Sequence, residues 1–242
     1  MQFIPHYSSS SGNLYSMIDG DTRLLLECGV SINRIRRAVG FNLGAYTACL
    51  LTHCHGDHAT AATDVMRAGL DLYCSDGTAD QLGLRGHRLH KLERNGSMNE
   101  RRYKTIGLGG TMVTPYGVQH DAPQPVGYLI TGITGCGYRL LFATDTYYIR
   151  YKFDGLTHIC VECNYSEKTI SDDIHPAQRD RLLASHMSLE TLLDMLAAND
   201  LSQVREIHLL HLSDSNADAD CFRDTVMQVT GRPVFVAGKE PE

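Results

Sequence analysis

Within six residues, His53-Cys54-His55-Gly56-Asp57-His58, the chain places three imidazoles and one carboxylate. These ligand types suit zinc, manganese or iron. The motif follows the apolar run 48–52, which reads as a buried strand because it lacks polar alternation. Residues two apart at a strand end point the same way. His53 and His55 can therefore meet one ion while Cys54 points away. Gly56 is read as permitting a sharp turn, after which Asp57 and His58 face a second ion from the start of a helix over 57–68. The competing explanation is a chance histidine-rich loop, and the density of ligand types counts against it.

Four later positions can complete two sites. His120 follows the run 111–118, Asp145 follows 139–143, His186 precedes a helix over 188–198, and His211 follows 207–210. Each lies where one element gives way to the next, the place where ligands gather in layered α/β folds. The two oxygens of Asp145 can bridge ions about 3.5–4 Å apart.

The elements that must hold these residues are readable in outline. Residues 14–18 and 23–26 read as strands joined by Asp19-Gly20-Asp21, an acidic glycine turn of the hairpin kind. Residues 32–39 read as a helix with its basic side chains outward, 70–74 as a strand and 78–82 as a short helix. In the second half, 111–118, 126–133 and 139–143 read as a mainly antiparallel run of strands. Residues 158–162 and 206–210 read as buried strands. The clearest helix is 188–198: Leu189, Leu192, Leu193 and Leu196 fall at i, i+3, i+4 and i+7, and Ser188 stands at its cap. A further helix is expected over 216–229 and a last strand over 234–236. With no linker or repeat, residues 1–242 read as one domain, a layered α/β sandwich.

Composition narrows the function classes. A hydrophobic share of 43 % and a charged share of 21 % exclude disorder and coiled coil as the main state. No run approaches the ~20 apolar residues of a membrane span. Residues 1–11 lack the basic start and apolar centre of a signal peptide, so a cytoplasmic protein with no membrane role is expected. The net charge of −6 excludes a strongly basic nucleic-acid binder but not a local patch. Residues 84–104 are that patch, with Arg85, His87, Arg88, His90, Lys91, Arg94, Arg101, Arg102 and Lys104 against Glu93 and Glu100. It is either a solvated face or a polyanion-binding edge. The eight cysteines lie mostly inside apolar runs and read as reduced, buried thiols.

The order His53-x-His55-x-Asp57-His58, then His120, Asp145 and His211, resembles the metallo-β-lactamase superfamily over nearly the whole chain. The resemblance implies an α/β fold, a four-layer αββα sandwich with two divalent metal ions, zinc or manganese, at one edge. His53, His55 and His120 would hold one ion, Asp57, His58 and His211 the other, and Asp145 would bridge. Further motifs are similar to the YycJ/WalJ-like branch, described as DNA-directed 5′ exonucleases. They are the Ser8-to-Asn13 segment, His120-Asp121-Ala122 with Pro125-Val126-Gly127-Tyr128, Glu162-Cys163-Asn164, Ser185-His186-Met187-Ser188 and His211-Leu212-Ser213 with Asn216. The last three are also similar to ribonuclease Z. There the counterpart of Glu162 pairs with that of His186, which handles a proton at the scissile phosphate. Two departures stand out: Leu26-Glu27-Cys28-Gly29 replaces the usual Ile-Asp-Ala-Gly, and Ala217 replaces a second asparagine.

Other candidates read blandly. Cys160 and Cys163 are three apart in a strand, so they face opposite ways and are core thiols. Gly107-Leu108-Gly109-Gly110 is a turn, lacking the lysine and helix of a phosphate loop. The Ser8-to-Gly12 segment is preferred as a phosphate-contacting loop over a flexible end. Tyr147, Tyr148 and Tyr151 are preferred as packing residues over base-stacking ones.

The expected activity is that of a metal-dependent phosphodiesterase on nucleic acid, DNA favoured over RNA, with Asp57, His186 and Glu162 in catalytic roles. The alternative is a small-molecule hydrolase of the same fold acting on a cyclic phosphodiester, lactone or thioester. A metal-stabilised binding protein is a third reading, disfavoured by the complete ligand set. Oligomeric state is not set by the sequence.

Overall fold

Alternating buried side chains along the strands sort the apolar residues into three layers around two sheets. In the computed structural model, which describes residues 1–95, 103–133, 137–170 and 175–238, the first sheet runs β1 (Gln2–Ser9), β2 (Gly12–Asp19), β3 (Thr22–Leu26), β4 (Ala48–Leu50), β5 (Leu72–Cys74), β6 (Leu89–Lys91). Strands β1 to β3 are antiparallel, and β3 to β6 are parallel. The second sheet runs β7 (Ile106–Leu108), β8 (Thr111–Gly117), β9 (Val126–Gly132), β10 (Arg139–Ala143), β11 (His158–Glu162), β12 (Glu206–Leu210), β13 (Val234–Val236). Its β7-to-β10 half is antiparallel and its β10-to-β13 half parallel.

The period of two decides which layer each side chain joins. Leu24, Leu26 and Leu50 meet Tyr128, Ile130, Leu140, Phe142 and Cys160 between the sheets. Leu25, Cys49 and Leu72 point the other way, onto helices α1 (Ile32–Ala38), α3 (Ala62–Arg67) and α4 (Asp76–Gln81). Leu141, Ile159, Val161 and Leu209 pack on helices α6 (Leu189–Ala197) and α7 (Ala219–Thr230). The architecture is the expected four-layer αββα sandwich. Cys160 and Cys163 fall in different layers, as alternation requires.

Several expectations are corrected. The helix expected over 57–68 is two helices, α2 (Gly56–Ala59) and α3, broken at Thr60-Ala61. The backbone bonds that would join them go elsewhere. The Ala61 N–H donates to the Cys28 carbonyl at 2.9 Å, and the Asp57 carbonyl accepts from Asn13 Nδ2 at 3.2 Å. Strands β1, β6 and β7 and helix α5 (Pro176–Ser185) were not anticipated. Residues 2–9, given no element above, pair with β2 along their length. Of the turn expected over 107–110, only Gly109-Gly110 is a turn, joining β7 to β8, while Gly107 and Leu108 belong to β7.

Candidate metal centre

The C-terminal ends of β4, β10, β11 and β12 open onto one edge of the sandwich, and each delivers a polar residue there. Parallel register holds β10, β11 and β12 level, with Ala143 opposite Val161 and Glu162 opposite Leu210. Asp145, Glu162 and His211 are thus brought side by side, facing the loop that follows β4.

His53, His55, His120 and Asp145 offer ligand atoms all within 4.8 Å of one another. His55 Nδ1 and His120 Nε2 are 3.0 Å apart, and His53 Nε2 lies 3.7 Å from Asp145 Oδ2. Outer contacts set the ring orientations. His120 donates from Nδ1 to the Ser185 carbonyl at 3.0 Å, and His53 Nδ1 bonds Thr52 Oγ1 at 2.9 Å. Each bond leaves Nε2 aimed inward, the arrangement in which a partner on one ring nitrogen fixes the other for ligation.

Asp57, His58, Asp145 and His211 form a second such group, sharing Asp145. His58 Nε2 is 3.3 Å from both Asp57 Oδ2 and Asp145 Oδ2, and His211 Nε2 is 3.3 Å from Asp57 Oδ2. Asn13 Nδ2 lies 3.1 Å from His58 Nε2. The outer nitrogen, His58 Nδ1, faces Glu27 Oε1 at 3.6 Å, beyond hydrogen-bond range. Glu27 instead accepts from the Thr52 backbone N–H at 3.3 Å. The acid that replaces the usual aspartate is fully buried, so it acts on His58 through charge rather than through a direct bond.

Glu162 serves a third cluster. Its Oε1 lies 2.6 Å from His186 Nδ1 and 3.2 Å from His211 Nδ1. Its Oε2 accepts from the backbone N–H groups of Thr146 and Met187, at 2.9 and 3.1 Å. With both oxygens engaged, Glu162 works as a buried anchor. Tied at Nδ1, His186 is one of the residues lining the pocket.

The electrostatics call for a cation. Burial alone would depress His58, yet Asp145, Asp57 and Glu27 raise it well above the ordinary imidazole value. His211 is raised to about 10 by Asp145, Asp57 and Glu162, again against burial. Asp57 and Asp145 are held far below the ordinary carboxylate range, despite burial, by His211 and His58. Burial pushes His53 and His120 down and keeps them in the neutral form that ligates. His53 Nε2 and Asp145 Oδ1 are buried without a hydrogen-bond partner. Buried polar atoms are otherwise paired, so orphaned imidazole and carboxylate atoms aimed into one cluster fit divalent metal.

The cluster floors a pocket of about 380 Å³, with Ser10, Gln178, Arg181 and Leu182 on its rim. A second pocket of about 250 Å³, lined by Arg94, Tyr103 and Gln124 among others, also reaches His120.

All the site residues expected from the sequence come together here; the auxiliary readings fare less evenly. Gly56 takes an ordinary helical start, with no atom within 4 Å of a would-be Cβ, so no glycine turn is needed. Ser8 is buried, bonded to Tyr15 Oη and accepting the His211 backbone N–H at 2.9 Å. It is a strut, and only Ser10 of that segment lines the pocket. Tyr147 and Tyr148 are exposed rather than packed, while Tyr151 packs on Tyr116. In the basic stretch, Arg88 pairs with Asp71, Lys91 with Asp76 and Asp80, and Lys104 with Glu93. Those three charges are internally neutralised, and Arg101 and Arg102 lie outside the described residues.

Asp121, Gln178 and Arg181 had no assigned role. Pro176 after His175 was an available start signal for α5, but the helix has no apolar stripe to mark its length.

A beta-lactamase superfamily domain profile matches residues 22–211. No curated protein is significantly similar in sequence. Among solved structures, the metallo-beta-lactamase fold protein YhfI from Bacillus subtilis superposes with a TM-score of 0.72 at 16 % identity, covering 98 % of this chain and 96 % of that one. The short form of human tRNase Z superposes at 0.68 with 14 % identity, over 99 % and 97 %. A diphosphatase from the PhnP family superposes at 0.66 with 12 % identity, over 99 % and 94 %.

Proposed function

Because the chain belongs to the beta-lactamase superfamily, we propose that it is a dinuclear metal-dependent phosphodiesterase acting on nucleic acid. His53, His55 and His120 would hold one ion and Asp57, His58 and His211 the other, with Asp145 common to both groups. Zinc and manganese both suit this donor set. When bound, the ions supply charge that polarises a scissile phosphate and acidifies the attacking water. Asp57, partly open to the pocket, orients that water. His186 meets the phosphate and gives its Nε2 proton to the leaving oxygen. Glu162 supports this: burial alone would lower His186, but the buried carboxylate at Nδ1 raises it and favours the charged ring.

The observation that carries the reading is His186, held by Glu162 at the wall of the pocket that the metal cluster floors. The Ser8-to-Asn13 and His120-to-Tyr128 motifs, taken together with those at Glu162, His186 and His211, favour the YycJ/WalJ-like branch and hence a DNA 5′ exonuclease. The described cysteines are free, in keeping with one domain working in the cytoplasm. The test is incubation with Mn²⁺ and end-labelled DNA, RNA and bis-p-nitrophenyl phosphate. Release of nucleotides from 5′-phosphorylated DNA, slowed ~10²–10⁴-fold in His186→Ala, is the expected result. Hydrolysis of the small ester alone favours the second reading, a small-molecule phosphodiesterase. The internal pairing of Arg88, Lys91 and Lys104 supports that alternative.

A further inference from the structure

Helix α5 stands on the rim of the metal pocket with nearly all its residues exposed. Three of its members, Gln178, Arg181 and Leu182, nevertheless line the pocket. Arg181 donates from Nε to Asp121 Oδ2 at 2.9 Å. Asp121 follows His120 directly, and its other oxygen lies 3.3 Å from His120 Nε2 and 3.9 Å from His55 Nε2. A guanidinium is therefore moored one carboxylate away from two metal-binding histidines.

The mooring uses one edge of the fork. Arginine carries five N–H donors in fixed geometry, and Nε accounts for one. The Nη groups remain to meet a ligand, and a moored guanidinium loses less freedom on binding than a swinging one. A bidentate grip on a phosphate is the chemistry that such a fork matches. Arg181 is about two-thirds exposed, so an arriving anion reaches it without unfolding the helix.

We propose that Arg181, held in place by Asp121, grips the phosphate that flanks the scissile bond, and so selects substrates carrying a second phosphate beside the one being cut. This rests on the phosphodiesterase reading and narrows its substrate class. A nucleic-acid strand offers such a neighbour, whereas bis-p-nitrophenyl phosphate has only one phosphate. Asp121 is a positioning residue, acting through Arg181.

The test uses the metal-loaded full chain, as wild type, Arg181→Gln and Asp121→Asn. It measures binding and cleavage of a 5′-phosphorylated single-stranded DNA across a salt series, alongside turnover of bis-p-nitrophenyl phosphate. Arg181→Gln is expected to weaken DNA binding about tenfold and to flatten the salt slope by roughly 0.7, the value of one lost contact on a single strand. Its loss of kcat/KM on DNA should exceed its loss on the small ester at least fivefold. Asp121→Asn should show a smaller loss of the same kind, carried in KM more than in kcat. Equal losses on both substrates, or DNA binding with wild-type affinity and salt slope, overturn the proposal. If wild type neither binds nor cleaves DNA while hydrolysing the small ester, the nucleic-acid reading falls and the proposal with it. If wild type cleaves DNA and Arg181→Gln matches it, only the proposal falls.

Discussion

Gly29→Ala is a substitution far from any ligand in sequence that should nevertheless disable the metal centre. A Cβ built on Gly29 would stand 1.6 Å from the Asp57 carbonyl oxygen, 2.2 Å from its carbon and 2.7 Å from the His58 backbone nitrogen. Real Cβ atoms essentially never approach within 3.0 Å, so the backbone at Asp57 must retreat by about 1.4 Å. It cannot do so freely. The Cys28 N–H is bonded to the His58 carbonyl, the Gly29 N–H to the Asn13 carbonyl, and the Ala61 N–H to the Cys28 carbonyl. The displacement therefore passes into Asp57 and His58, two residues of the second ligand group. A misplacement near 1 Å costs about 10²-fold in rate, and overpacking costs about 1–3 kcal/mol of stability. Gly29→Ala should thus retain the ion at His53, His55 and His120, lose the other, and drop in kcat/KM by at least about 10²-fold. Gly56→Ala is the matched control, since nothing lies within 4 Å of its added carbon. Metal content by plasma emission, thermal melting and ester hydrolysis on both variants decide the matter. Full metal occupancy in Gly29→Ala, with a rate within about twofold of wild type, would refute the packing argument.

His53→Ala should lose one ion per chain and all hydrolysis, read by metal analysis after dialysis. His186→Ala should keep full metal content yet lose ~10²–10⁴-fold in rate, the usual size of acid–base and charge-stabilising contributions; a loss of metal instead would make His186 a ligand. Stability should also respond to pH away from the site, at His158, whose pKa burial pushes down to about 4. The unfolded chain, with an imidazole near 6.5, then binds more protons than the folded one between those values. Stability contributed there is complete above about pH 6.5 and is lost as pH falls toward about 4. His158→Asn should flatten the melting temperature against pH in that window, and an unchanged slope would count against the assignment.

The periodic features of the chain could be read directly, and the features set by tertiary contact could not. The strand at His158–Glu162 and the leucine stripe of α6 stand in the structure as their patterns predicted. The histidine motif marked its own location because imidazole and carboxylate at that density have few other uses. The break between α2 and α3 carries no local signal, since it comes from Cys28 and Asn13 claiming backbone groups from afar. Nor does the sequence show how the ligands are aimed. Glu27, Asp145 and His211 each follow a strand end in the left-handed region, at φ values of 66°, 43° and 53°. Non-glycine residues adopt this conformation at a cost of about 1–3 kcal/mol each, and such strain gathers at functional sites. Helix α5 was missed because it buries almost nothing, and with it went Arg181.

The bond from His211 to Ser8 spans 203 residues, and that span governs when the site can exist. Residues from β1, β2, the loop after β4, β10, β11 and β12 must all be present before both ligand groups are framed. A chain growing from its N-terminus exposes His53 to His58 early, with Asn13 beside them but without Asp145 or His211. Contacts this distant form late, because loop closure must precede them. A stalled or prematurely ended chain that stops before residue 211 therefore lacks the complete second ligand group, however many of the earlier residues it holds.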